Sequence, residues 1–235
     1  MTAARRIRDR IAGGQPVLVV NPGGVALPVI DQIAAAGAHC LFIDCERTPI
    51  SIESVHVMAR MAAAAGLCSV VRVPTRDAAL LTRYLDCRVD GIVLPQVESA
   101  DECRALVQVA RDATNGREGD LLLIPQIETV QGHARLEEIA GSPGIDLVLV
   151  GPNDLALSMG HAGNPKHPEV QGAVEDIMAR LRANGCAFGL PVDEETAGRY
   201  VGKGATFLYL NLHSLLKASL ARVSGTISPV DGENR

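Results

Sequence analysis

Two carboxylates close apolar runs in this chain: Glu128 ends LLLIPQIE (121–128) and Asp154 ends LVLVGPND (147–154). Neither run alternates polar with apolar residues, and a turn signal follows each, so both read as strands buried on two faces. In a parallel α/β sheet, strand C-termini open onto the ligand-binding face. Two acids there on successive strands make an oxygen donor set for a hard divalent cation, Mg²⁺ or Mn²⁺, with Co²⁺ a further candidate. Either acid alone reads equally well as a helix N-cap or a solvated strand end. The pair in register, with polar residues at other strand ends, points to a site.

Those ends carry suitable chemistry. Strand two ends in Asp44, followed by Cys45, Glu46 and Arg47, and strand three delivers Arg72 in VVRVP. Strand four ends near Pro95 and Gln96. Strand five gives Gln126 with Glu128, and strand six gives Gly151, Pro152, Asn153 and Asp154. Two acids for a cation, an arginine for a carboxylate or enolate oxygen, and backbone N–H groups in a Gly-Pro turn suit a small 2-oxo acid.

Eight elements must position these groups. Strand-like runs cover 16–20, 39–44, 68–73, 91–97, 121–128, 147–152, 187–192 and 205–212. Helical patterns lie between and after them, near 27–36, 52–65, 77–86, 100–112, 131–140, 169–184, 194–202 and 213–222. Eight strands each followed by a helix predict a (β/α)₈ TIM barrel, α/β in class, as one domain over 1–235. Connectors are short, and no GxGxxG or GxxxxGK[ST] follows the first strand, which disfavours a nucleotide-binding doubly wound sheet. The tail from Ser224 is polar and reads as loose.

Composition narrows the function. At 47% hydrophobic and 3% aromatic, the chain is rich enough in Ala, Val and Leu for a helix-and-strand core. A net charge of −5 without a basic stripe excludes nucleic acid as the main partner. The six cysteines are scattered in apolar contexts without a CxxC pair, so they read as buried free thiols. With no signal-like apolar core at the N-terminus and no window of membrane-span length, the expectation is a cytoplasmic protein with no membrane partner.

Five segments make the reading specific. VVRVP, GIVLPQVESADE, IPQIETVQG, DLVLVGPNDLALSMG and GNPKHPEV resemble signature segments of the HpcH/HpaI aldolases, over about residues 16–222. These are class II, metal-dependent pyruvate aldolases similar in barrel fold to citrate lyase β-subunits. The resemblance implies that Glu128 and Asp154 ligate the metal and that Arg72 holds the pyruvate carbonyl and stabilises the enolate. It implies that Gln126 and the Gly151–Asp154 turn, with Pro152 and Asn153, bind pyruvate's oxygens. Asp86, in RYLDC, falls where the family places an acid that helps orient the catalytic histidine, from a neighbouring subunit. The family's last helix is typically exchanged between neighbours, and HSLLKASLARV fits such a docking helix. A homo-oligomer is therefore implied, a hexamer or trimer of dimers. The implied partners are a 2-oxo acid with a pyruvate moiety and an aldehyde.

One position departs from the family. Where it usually reads Asp-x-Glu-His, with the histidine as base for the substrate hydroxyl, this chain reads Asp44-Cys45-Glu46-Arg47. Arginine stays protonated at any working pH and cannot be a general base, though it can clamp a carboxylate or phosphate. This predicts an anionic aldehyde. Strand one also differs, ending in Asn21-Pro22-Gly23-Gly24 where the family often has a tryptophan. His39 begins a strand, His56 and His133 lie on helical patterns, and His213 follows strand eight. His161 and His167 occupy the strand-six loop, whose Gly, Asn and Pro residues point to a structural role.

The leading expectation is a metal-dependent carbon–carbon lyase cleaving or forming 4-hydroxy-2-oxo acids through a pyruvate enolate, with Arg72, Arg47, Asp44 and Asp86 as its catalytic set. The alternatives are a divergent decarboxylase or condensing enzyme needing no histidine base, and a catalytically silent binding barrel.

Overall fold

Val, Ile and Leu dominate the eight apolar runs, and in the computed structural model, which describes residues 1–226, each run becomes a parallel strand. They are β1 (Val17–Asn21), β2 (Cys40–Asp44), β3 (Cys68–Arg72), β4 (Gly91–Leu94), β5 (Leu122–Ile127), β6 (Val148–Val150), β7 (Phe188–Pro191) and β8 (Phe207–Asn211). The strands pair in chain order, and β1 closes on β8 from Val17↔Phe207 to Asn21↔Asn211. The fold is a (β/α)₈ barrel.

Around it lie α1 (Ala3–Ala12), α2 (Ile30–Ala35), α3 (Ile52–Ala64), α4 (Ala78–Asp86), α5 (Ala100–Ala113), α6 (Val130–Ala134), α7 (Leu136–Ala140), α8 (Pro152–Ser158), α9 (Pro168–Ala183), α10 (Ala197–Gly202) and α11 (Leu212–Thr226). Side-chain caps set several starts: Asp77 accepts the Leu80 N–H at 2.9 Å, and Thr129 accepts that of Gly132 at 3.0 Å. Two apolar layers result. Val19, Phe42, Val70, Ile124, Leu149 and Phe207 belong to the layer inside the barrel. The larger layer packs strands against helices, with Ile43, Met58, Leu106 and Ile177 fully buried. Inside, a Cβ on Gly91 would stand 2.8 Å from Leu122 Cβ and 3.1 Å from Val70 Cγ1, so only glycine lets β3, β4 and β5 approach.

Four features differ from the sequence expectation. The charged N-terminus forms α1, which buries Ala4 and Ile7 in the inner layer while Arg8 pairs with Asp146. The helix expected over 131–140 is two, α6 and α7, meeting at Arg135, whose φ of −108° leaves the helical range. Pro152 opens α8 instead of a turn, because its fixed φ and missing N–H suit a first helical position. The tail expected from Ser224 begins inside α11, and its remainder, 227–235, lies outside the described residues.

α11 buries none of its side chains: Leu215, Leu216, Leu220 and Val223 are exposed. Beside it runs an apolar groove of about 400 Å³, lined by Leu18, Val20, Val29, Ile33 and Leu210. Among the described residues, no helix is long and apolar enough to cross a membrane.

Candidate active site

Asp44 and Arg72 are register partners at the C-terminal ends of β2 and β3. That adjacency fixes a bidentate pair: Arg72 Nε donates to Asp44 Oδ1 at 3.0 Å, and Nη2 donates to Oδ2 at 2.7 Å. Asp44 Oδ1 also accepts the backbone N–H groups of Glu46 and Arg47, each at 3.2 Å. Asp44 therefore holds the arginine fork and the following turn. The third guanidinium nitrogen, Nη1, lies 3.1 Å from Glu46 Oε2. Arg72 faces a cavity of about 360 Å³ at the barrel mouth.

Glu128 follows β5 directly and is fully buried. Its Oε1 accepts the Gln96 N–H at 2.9 Å, and its Oε2 accepts Gln126 Nε2 at 2.5 Å. Gln96 reaches it because its backbone sits at φ +53°, turning the chain sharply after β4. Burial pushes the Glu128 carboxyl up to about 8, and the negative charges of Asp154 and Glu46 add to the rise. Burial also raises Glu46, against the pull of Arg72 and Arg47.

Gly151 and Asp154 complete this wall. A Cβ on Gly151 would fall on Glu128 Oε2 and 2.7 Å from Gln126 Nε2, so glycine is required for α8 to start here. The Gly151 N–H is taken by Ile127 O at 2.9 Å, and Pro152 has none. The expected N–H contribution of this segment thus narrows to Asn153 and Asp154, in the unpaired first turn of α8.

Three observations fit the hard divalent cation that the family resemblance implies. The donors are carboxylates, Glu128 and Asp154, on one cavity wall. Gln126 Oε1 is a buried acceptor without a partner. Four carboxylates (Asp44, Glu46, Glu128, Asp154) adjoin two guanidiniums (Arg47, Arg72), leaving two negative charges in excess when all are ionised, which one divalent cation balances.

Arg47 forms the outer rim. It is half-exposed, donates through Nη2 to Asp154 Oδ1, and lies 4.0 Å from Glu46 Oε2. Across the cavity, Tyr209 of β8 accepts a hydrogen bond from Asn21 Nδ2 at 2.7 Å and packs edge-on against Phe42, ring centroids 4.9 Å apart. Asn21 Oδ1 accepts the Gly23 N–H at 2.8 Å, which shapes the turn after β1.

The structure thus brings Arg72, Arg47, Gln126, Glu128, Gly151, Pro152, Asn153 and Asp154 to one cavity, with Asp44 behind it. Asp86 is not there: it is exposed at the C-terminus of α4, in a surface depression with Glu53, His56 and Arg83. Among the described residues, no histidine lines the cavity. Sequence reasoning missed Tyr209 and the Gln96 backbone. Tyr209 was within reach, because a polar atom at the end of β8 belongs to the same series as the other strand ends.

Known proteins are similar to this chain over most of its length. The HpcH/HpaI aldolase/citrate lyase family matches residues 24–216. A hydroxypyruvate/pyruvate aldolase of Pseudomonas aeruginosa is 34% identical, over 94% of this chain and 91% of its own length. A 4-hydroxy-2-oxovalerate aldolase of Rhodococcus jostii (strain RHA1) is 35% identical, over 79% of this chain and 81% of its own. Among solved structures, an HpcH/HpaI aldolase/citrate lyase family protein from Burkholderia cenocepacia J2315 superposes with a TM-score of 0.83 at 28% identity, covering 94% of this chain and 97% of that one.

Proposed function

This chain belongs to the HpcH/HpaI aldolase/citrate lyase family of lyases, and from that premise we propose that it is a single-domain, cytoplasmic pyruvate-type aldolase using Mg²⁺, Mn²⁺ or Co²⁺. The observation carrying this reading is the pair Glu128 and Asp154 beside Arg72 in one cavity. The two carboxylates would hold the cation at the cavity wall. When bound, the cation draws electron density from the 2-oxo and carboxylate oxygens of the substrate.

The protein's own groups do the rest. Arg72, oriented by Asp44, holds the 2-oxo oxygen and balances the charge that develops as the enolate forms. The Asn153 and Asp154 N–H groups and Gln126 orient the pyruvate carboxylate. Phe42, Pro191 and Leu149 wall the cavity and restrict water around the enolate. Arg47 and Tyr209 border the space left for the second substrate, which favours an aldehyde carrying a carboxylate or phosphate.

A second reading, a decarboxylase or condensing enzyme of the same family, is favoured by Arg47 and by the lack of a cavity histidine. Oxaloacetate tests the shared core, since its decarboxylation needs an electron sink but no hydroxyl base. The expected result is Mn²⁺-dependent release of CO₂ that EDTA abolishes. Equal turnover in EDTA, or none with any divalent metal, contradicts the proposal.

We further propose a homo-oligomer, a hexamer or trimer of dimers, in which the exposed apolar face of α11 docks on a neighbouring chain. For Asp86 to help orient a catalytic group, as the family resemblance implies, its depression would have to meet a neighbouring subunit's cavity. Light scattering at micromolar concentration is expected to give a multimer, and a monomer refutes the assembly.

A further inference from the structure

Away from the barrel mouth, the loop joining α8 to α9 gathers three ligating side chains. His161 Nε2 lies 2.8 Å from Glu169 Oε2, and the His161 and His167 rings stack with centroids 3.7 Å apart. One ligand atom from each of His161, His167 and Glu169 lies within 4.8 Å of the other two, and no other such trio converges among the described residues. None of the three lines the catalytic cavity.

The backbone sets this arrangement in advance. The His161 N–H donates to Ala156 O at 2.7 Å, anchoring the loop to the end of α8. Asn164 N–H donates to His161 O at 3.0 Å, and His167 N–H donates to Asn164 O at 3.1 Å, folding the loop back on itself. Pro168 then starts α9, placing Glu169 in its first turn, where the Glu169 N–H donates to His167 Nδ1 over a long 3.3 Å. That weak contact leaves the Nδ1 lone pair easily exchanged for a better partner.

We propose that His161, His167 and Glu169 form a second cation site, for a borderline ion such as Zn²⁺ or Ni²⁺. Two imidazoles and one carboxylate suit such ions, whereas the oxygen donors Glu128 and Asp154 suit Mg²⁺ or Mn²⁺. Bond lengths of about 2.0–2.2 Å in a tetrahedron place ligand atoms roughly 3.3–3.5 Å apart. The present separations, 2.8 Å for one pair and at most 4.8 Å for the others, bracket that value. Closure needs the stacked rings to splay and the side chains to move by about an ångström or two, which an exposed loop allows. Water fills the fourth position. A cation there ties the end of α8, whose first turn carries Asp154, to the start of α9.

Calorimetric titration of Zn²⁺ into the full chain, with Mg²⁺ present in excess, tests this. Wild type is expected to take up one more Zn²⁺ per chain than the His161→Ala/His167→Ala double variant, and Zn²⁺ should raise the thermal midpoint of wild type only. Mg²⁺-dependent turnover of the double variant should stay at the wild-type level, which checks its fold. Glu169→Gln, which keeps shape and removes the charge, should weaken the extra Zn²⁺ by at least about tenfold. Equal Zn²⁺ stoichiometry in wild type and double variant, or unchanged affinity in Glu169→Gln, overturns the proposal.

Discussion

Glu128→Gln and Asp154→Asn are each expected to weaken Mn²⁺ binding by about 10²- to 10³-fold and to abolish metal-stimulated turnover, while the barrel stays folded. On the proposed assignment, each substitution removes one of the two charged ligands, and losing one partner of a buried ionic arrangement costs about 3–5 kcal/mol. The fold survives because neither carboxylate supports the apolar layers. The metal-free protein adds a pH signature. Burial pushes Glu128 up to about 8 from an ordinary value of 4.5. A carboxyl raised on folding contributes stability that is complete below 4.5 and is lost as pH rises through about 8. At about 1.4 kcal/mol per pH unit, the loss is on the order of 5 kcal/mol. Urea unfolding in EDTA should therefore show wild type weakening more steeply between those limits than Glu128→Gln, in which the raised carboxyls of Glu46 and Asp90 still titrate. At pH 7, Mn²⁺ should displace about one proton from wild type, read by calorimetry in buffers of different ionisation enthalpy. Parallel pH profiles, or Mn²⁺ affinity unchanged in both variants, would remove the ligand assignment.

The second large effect concerns Arg47. A positioned general base contributes about 10²- to 10⁴-fold, and a guanidinium cannot accept the hydroxyl proton. Arg47→His should therefore raise cleavage of neutral 4-hydroxy-2-oxo acids by at least about tenfold, approaching that range if the imidazole reaches the hydroxyl. Wild type should prefer aldehydes bearing a carboxylate or phosphate, and Arg47→Ala should erase that preference while leaving oxaloacetate decarboxylation in place. Efficient cleavage of neutral substrates by wild type, unchanged in Arg47→Ala, means that another group supplies the base and that Arg47 only props Asp154.

The barrel was legible because parallel strands covered on both faces keep apolar runs such as LVLV unbroken, and because helices fill every gap between them. Glu128, Arg72 and Gln126 were legible as cavity residues because polar side chains at or near the end of such a run stand at the barrel mouth, and Asp154 because it follows the sixth run closely, although it lies in the first turn of α8. α1 escaped because its two buried residues, Ala4 and Ile7, stand among arginines that read as a charged tail. α8 escaped because Gly-Pro signals a turn and a helix start equally well. Tyr209, at the end of β8, belongs to the same strand-end series, although its ring packs on Phe42 as a core aromatic does and only its hydroxyl, paired with Asn21, is polar. The Gln96 N–H on Glu128 depends on a left-handed backbone angle that its residue type does not announce. The Arg47–Asp154 pair joins residues 107 positions apart, and only the closed barrel brings them together.

Exchange of the pyruvate methyl protons with solvent, followed by NMR in D₂O, reports enolate formation most directly, because it requires no aldehyde and no base for a substrate hydroxyl, the methyl proton passing to solvent water in the cavity. Exchange is expected from wild type with Mg²⁺ or Mn²⁺ and from Arg47→Ala, and is expected to be absent in EDTA and in Glu128→Gln or Asp154→Asn. Exchange that continues in EDTA, or that survives the loss of either carboxylate, would contradict this expectation.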